Sequence, residues 1–185
     1  DKGLVQNQGF QSKIEVAELK NAPVKLIPFP QEVSWGKKKI RIGGINFIKS
    51  DIHDENIRIE LDKISREAGF NSKKDGIDLK IILNEDISQE GYKLSVEKKL
   101  IQIESSSYTG AFYALQSLRQ LILKEPDDET LIQTCSMYDF PAHPVRGFML
   151  DVGRNYQSMA SLKKQLDIMA SYKLNTFHWH LTDDQ

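Results

Sequence analysis

The 185 residues predict an α+β domain, a sheet with helices packed on one face, followed by the truncated start of a parallel barrel. Three observations carry this reading. Up to residue 138, hairpin-like β runs are interleaved with two amphipathic helices. A proline-rich break, Asp139-Phe140-Pro141-Ala142-His143-Pro144, then changes the pattern. Beyond it, strand, helix and strand follow one another as a βαβ unit. The division is residues 1–22 as an extension, 23–140 as the α+β domain and 141–185 as the start of the barrel.

Residues 1–22 show no clear period and read as an extension, ordered only if docked. In Ile27-Pro28-Phe29-Pro30, two prolines at i and i+2 force extended backbone. Lys39–Ile42 and Ile45–Ile48 flank Gly43-Gly44, a two-residue link that predicts a hairpin. Ile57, Leu61, Ile64 and Ala68 recur at helical spacing and stop at Gly69. Asp78–Leu83 reads as a buried strand. Tyr92, Leu94 and Val96 alternate, as do Ile101 and Ile103, around Glu97-Lys98-Lys99, giving a second hairpin. Thr109–Leu123 is the clearest helix, with Phe112, Leu115, Leu118 and Ile122 in one stripe, widened by Ala111, Ala114 and Leu121.

The second grammar begins at Val145–Val152. Its Phe148-Met149-Leu150 run is typical of a parallel strand covered on both faces. Ser158–Tyr172 is a helix with Leu162, Leu166 and Met169 on one side. Thr176–Leu181 is the second strand, and Trp179 reads as core packed against helices. A parallel barrel typically takes about 250 residues, so Val145–Gln185 supplies only its first two strands.

Composition removes several function classes. Lys+Arg is 25 and Asp+Glu 26, a net charge of −1, where a nucleic-acid binder would need a basic excess. No apolar run reaches the ~20 residues of a membrane span. The single cysteine, Cys135, excludes an internal disulfide and every multi-cysteine metal or redox motif. Lys37-Lys38-Lys39 reads as a solvated turn, and His53 and His143 as surface residues.

Three features lie at the C-terminal ends of the two predicted parallel strands, where α/β folds bind ligands. In Asp151-Val152-Gly153-Arg154, Arg154 could present its planar fork of donors to paired hydroxyls or a carboxylate, or merely pair with Asp151. In His178-Trp179-His180, the two histidines share one face of a strand and suit either metal ligation or interior hydrogen bonding. Asp183-Asp184 could orient a catalytic partner, bind sugar hydroxyls or cap a following helix.

Together these residues resemble glycoside hydrolase family 20, the β-N-acetylhexosaminidases. Five stretches match in order: Ile27–Pro30, Glu90–Leu94, Gly110–Leu118, Arg146-Gly147-Phe148-Met149-Leu150-Asp151-Val152-Gly153-Arg154, and Lys173–Gln185 with its Phe177-His178-Trp179-His180-Leu181-Thr182-Asp183-Asp184-Gln185. The last two are the most specific. The resemblance implies a (β/α)8 TIM barrel after a non-catalytic α+β domain. It implies removal of terminal β-linked N-acetylglucosamine or N-acetylgalactosamine with retention, the substrate's own acetamido oxygen attacking the anomeric carbon, outside the two-carboxylate scheme. It implies no cofactor and no metal.

By the same resemblance, Arg154 matches the arginine that binds hydroxyls of the non-reducing sugar, and His180 a strand-end histidine lining the site. Asp183 matches an acid supporting the catalytic Glu through a later histidine, and Asp151 a partner that fixes the first barrel strand. The catalytic Asp-Glu pair would lie beyond Gln185, so the chain itself is expected to be inactive. Asn155 stands where the family often has His, and His143 where an aromatic is common; both bear on substrate preference. The implied partner is an oligosaccharide or glycoconjugate with a terminal N-acetylhexosamine, at a periplasmic or extracellular location. The alternatives are a non-catalytic glycan-binding module and a metal-dependent barrel hydrolase using His178 and His180. Unpaired barrel strands recruit partners, so residues 145–185 are expected to pack on the α+β domain, pair with another copy or be poorly ordered.

Overall fold

The computed structural model describes residues 16–53, 55–70, 75–127 and 129–182. Most of the extension lies outside these residues. Its last part is a short helix, α1 (Val16–Asn21), whose final carbonyls accept hydrogen bonds from Lys25 Nζ, at 2.6 Å from Leu19 O and Lys20 O.

The α+β domain contains β1 (Glu32–Arg41), β2 (Gly44–Ser50), α2 (Glu55–Glu67), β3 (Gly76–Leu83), β4 (Tyr92–Val96), β5 (Leu100–Ser105), α3 (Tyr108–Leu121), β6 (Ile122–Lys124) and β7 (Thr130–Asp139). The main sheet runs β1-β7-β4-β5-β3-β2, with β6 also paired to β7. β2–β3 and β3–β5 are parallel, and the other pairs are antiparallel. Period-2 alternation puts Ile77, Leu79 and Ile81 of β3, Leu94 of β4, Ile101 and Ile103 of β5 and Ile132 of β7 on the inner face, under Ile57, Leu61 and Ile64 of α2 and Ala111, Ala114, Leu115 and Leu118 of α3. The other face carries polar residues such as Lys93, Gln102 and Glu104. This is the predicted sheet with helices on one face.

The hairpin predicted at Gly43-Gly44 does not form. β1 and β2 occupy opposite edges of the sheet. Only Ile42 and Gly43 separate them, a link that reaches no more than about 11 Å between flanking Cα atoms, whereas six flat strands would span roughly 24 Å. The sheet therefore curls until its edges meet at this end. Ile42 N–H donates to Thr130 O on β7 at 2.9 Å, and Gly43 N–H to Asp75 O before β3 at 2.9 Å. A two-glycine link is compatible with either outcome, and buried Ile42 decides between them by entering the core.

The second hairpin forms as predicted, closed by Glu97 N–H to Leu100 O at 2.9 Å. Helix α2 also agrees, ending at Gly69 with φ of +69°. Helix α3 starts at the Ser107 cap and stops two residues short of the predicted end, where Ile122 turns extended to pair with β7. Gly110 is required in its first turn, because a Cβ there would lie 2.2 Å from both Gly91 O and Ser105 Oγ. Lys37-Lys38-Lys39 lies in an exposed irregularity of edge strand β1 rather than in a turn. Charge there discourages pairing with further strands.

The second region is β8 (Gly147–Asp151), α4 (Met159–Ser171) and β9 (Thr176–His180), with β8 and β9 parallel. The βαβ unit is as predicted, but its covering is not. Phe148, Met149 and Trp179 are 39%, 54% and 41% exposed, and Leu166 is also exposed, while Leu162 and Met169 are buried. Two strands and one helix cannot enclose both faces of the pair. Arg146 with Glu90 and Lys173 with Asp139 join this unit to the α+β domain at its strand starts, while the faces of β8 and β9 stay exposed.

Candidate functional site

Strand β8 ends at Asp151, whose carboxylate organises the mouth of the strand pair. Its Oδ1 accepts the backbone N–H of Gly153 at 3.0 Å and of Arg154 at 3.1 Å, so the turn folds back over the strand end. Its Oδ2 lies 3.6 Å from Arg154 Nε and 3.4 Å from His180 Nδ1. Val152 N–H donates to His180 O at 3.0 Å, extending the ladder past the last strand residue. Desolvation pushes the Asp151 carboxyl upward. The Arg154 N–H and the charges of His180 and Arg154 outweigh it and hold the group below the ordinary carboxylate range. The Arg154 side chain is 65% exposed and extends from this anchor.

The structure thus brings together Asp151, Arg154 and His180. Asp183 lies outside the described residues, as do Asp184 and Gln185. His178 shares a strand face with His180 and pairs in register with Met149, as Asp151 does with His180. Among the described residues no group of three His, Cys, Asp or Glu side chains is placed to hold a metal ion. Cys135 is buried, and burial pushes its thiol up to about 12, which removes it as a nucleophile.

A second cluster lies at the opposite ends of the strands, where β8 and β9 begin. Arg146, just before β8, places Nη1 3.1 Å from Glu90 Oε2 and Nη2 3.0 Å from Glu90 Oε1, a bidentate pair. Arg146 Nη2 also donates to Tyr113 Oη at 2.9 Å and Arg146 Nε to Lys173 O at 2.9 Å. The Arg146 hydrogen bond dominates in lowering the Glu90 carboxyl below its usual range. Asn175 joins both strand starts, its Oδ1 accepting Arg146 N–H at 3.0 Å and its Nδ2 donating to Pro144 O at 2.8 Å.

Beside this pair, Lys173 Nζ donates to Asp139 Oδ2 and to Tyr92 Oη, each at 2.8 Å, and Tyr92 Oη contacts Ser117 Oγ at 2.6 Å. Burial lowers the Lys173 ammonium against the opposing pull of Asp139, and burial with the Asp139 charge raises the Tyr92 phenol well above its usual value. A cavity of about 230 Å³ runs along this seam, lined by Phe29, Phe140, Pro141 and the charged pairs. Glu90, Tyr92, Tyr113, Asp139 and Arg146 received no individual role from the sequence, and Lys173, which the helix pattern sets with Lys163 and Lys164 on the solvent side, is buried instead. The available signal was a lysine at the residue after a helix end, where glycine is usual.

Two family models match the chain. "Glycosyl hydrolase family 20, domain 2" covers residues 24–140, and "Glycosyl hydrolase family 20, catalytic domain" covers 143–185. A beta-hexosaminidase of Porphyromonas gingivalis is 41% identical over 138 residues, which is 71% of this chain and 17% of that protein. Beta-hexosaminidase subunit A1 of Dictyostelium discoideum is 29% identical over 175 residues, 87% of this chain and 33% of that protein. Among solved structures, the GH20 exo β-N-acetylglucosaminidase of Vibrio harveyi in complex with N-acetylglucosamine has a TM-score of 0.74 at 30% identity, covering 86% of this chain and 26% of that one. The chain therefore spans at most a third of each of these relatives.

Proposed function

The chain belongs to glycosyl hydrolase family 20, and from that premise we propose that it supplies the small domain and the first two barrel strands of an exo-β-N-acetylhexosaminidase. The reading rests above all on the Asp151 carboxylate, which ties Arg154 and His180 together beyond the C-terminal ends of adjacent parallel strands. An anchored backbone with a projecting guanidinium is suited to gripping a pair of sugar hydroxyls.

In this proposal Arg154 binds hydroxyls of the terminal N-acetylhexosamine. His180 lines the same site, Asp151 holds the turn that presents Arg154, and the role of Asp183 is the one the family resemblance implies, support of the catalytic Glu. The bond is cleaved with retention, the acetamido oxygen of the substrate displacing the leaving group at the anomeric carbon. A Glu supplies the proton to the leaving oxygen, and an adjacent Asp steadies the oxazolinium; neither is assigned to these 185 residues. The chain by itself is accordingly expected to bind weakly and turn nothing over. The substrate is a glycoconjugate or oligosaccharide, met at a periplasmic or extracellular location that cell fractionation would test.

The deciding experiment replaces Arg154 with Met in a full-length hexosaminidase carrying this chain. Loss of two charge-assisted hydrogen bonds is expected to lower kcat/KM on a chromogenic N-acetyl-β-glucosaminide by roughly 10²-fold or more, with the circular dichroism unchanged. An unaltered kcat/KM would remove Arg154 from the sugar site. Turnover above blank by the purified 185-residue chain would overturn its expected inactivity.

A further inference from the structure

The backbone of Lys173 adopts a conformation that side chains disfavour. Helix α4 ends with Lys173 N–H bonded to Ala170 O and Leu174 N–H to Met169 O, each at 3.0 Å, and with Lys173 at φ of +60°. This is the left-handed termination that glycine adopts without strain and that a side chain disfavours. Lys173 is nonetheless 4% exposed, its ammonium directed into the α+β domain against Asp139 and Tyr92. Local backbone preference and burial both oppose a lysine here. What the side chain supplies in return is a bond between the two regions.

The second pair repeats the arrangement. Arg146 precedes β8 as Lys173 precedes β9, and it grips Glu90 next to the hairpin strand β4. Both cations come from strand starts of the βαβ unit, and both anions come from the α+β domain. Arg146 Nε to Lys173 O and Arg146 N–H to Asn175 Oδ1 couple the two grips.

We propose that the α+β domain is a register clamp: the Glu90–Arg146 and Asp139–Lys173 pairs fix the starts of β8 and β9 and so position Arg154 and His180 at the other end. The strands are short, about 13 Å from Gly147 to Asp151. A slip of one residue in a strand turns its side chains to the opposite face, which would separate His180 from Asp151. Fixing the start therefore fixes the mouth. Glu90, Asp139, Arg146 and Lys173 are positioning residues in this role, which is independent of the substrate.

Amide exchange of the 185-residue chain tests it at two reporters. Thr176 N–H, bonded to Arg146 O, lies at the clamped end, and Val152 N–H, bonded to His180 O, lies at the far end. Lys173→Gly relieves the left-handed backbone while removing the cation. The clamp requires exchange to quicken about tenfold or more at both reporters, with the β3 and β5 amides unchanged. It also requires the Asp151 carboxyl, followed through the Gly153 and Arg154 amide shifts, to titrate closer to its ordinary value. Slower or unchanged exchange at Val152 would overturn the clamp, because a merely local helix end gains from glycine. Should Lys173→Gly also loosen β3 and β5, Glu90→Gln decides through the other pair: quickened Val152 exchange supports the clamp, and unchanged exchange overturns it.

Discussion

In β3 and β5, alternate residues such as Ile81 and Ile103 are fully buried beneath α2 and α3, whereas Phe148, Met149 and Trp179 of β8 and β9 remain substantially exposed. The two regions use the same local devices. Each has hydrogen-bonded strands, and each has a helix opened by a serine whose side chain accepts a backbone N–H three residues on, Ser107 from Gly110 and Ser158 from Ser161. They differ in what covers those elements. Local pattern creates a strand or a helix, but burial of its apolar face is what stabilises it.

The largest expected effect contrasts two side chains. Leu94→Ala empties a fully buried position of β4 and should cost about 2–5 kcal/mol, seen as a lowered urea midpoint. Met149→Ala, at an exposed position of β8, should stay within about 0.5 kcal/mol. Equal losses would mean that β8 is covered in solution, and the contrast between the regions would fail.

A smaller effect sharpens the same contrast. Removing the Ser107 cap should cost about 1 kcal/mol of global stability, because α3 is integral to the core. Ser158→Ala removes an equivalent cap from α4, yet should leave the global midpoint in place and quicken exchange only within α4. A shifted global midpoint would show that the two regions unfold as one unit.

The smallest effect concerns pH at the seam. The Glu90 carboxyl is held below its usual 4.5, chiefly by the Arg146 hydrogen bond. A folded-state value below the unfolded one means that the contribution is complete above the unfolded value and fades as pH falls through the folded one. Thr176 amide protection should therefore weaken on the acid side of that range, and Glu90→Gln should flatten the acid limb. An identical limb in the variant would show that Glu90 does not carry the seam's response.

Much of this architecture was legible in the residues. The spacing of Ile57, Leu61 and Ile64, the alternation in Tyr92–Val96 and the Gly69 stop each specify structure through neighbours within a few positions. Part of the mouth was legible as well, since strand periodicity places Asp151 and His180, whereas Arg154 is placed by the turn that Asp151 Oδ1 folds back over the strand end. Gly43-Gly44 misled, because a link that suits a tight hairpin equally suits a curled sheet whose edges meet.

What the sequence determined by itself was therefore α2, α3 and α4, β3, the β4–β5 hairpin, the β8–β9 pair and the inner faces within the α+β domain, because periodicity, caps and turn residues act over short range; α1, β6 and the internal strand β7 were not read from it. Only the tertiary structure decided that β1 and β2 lie at opposite edges and that Arg146 and Lys173 reach Glu90 and Asp139. Those pairings join residues 34 to 56 positions apart, brought together by the sheet order. No local propensity encodes such a distance; it is set by which faces must be buried together.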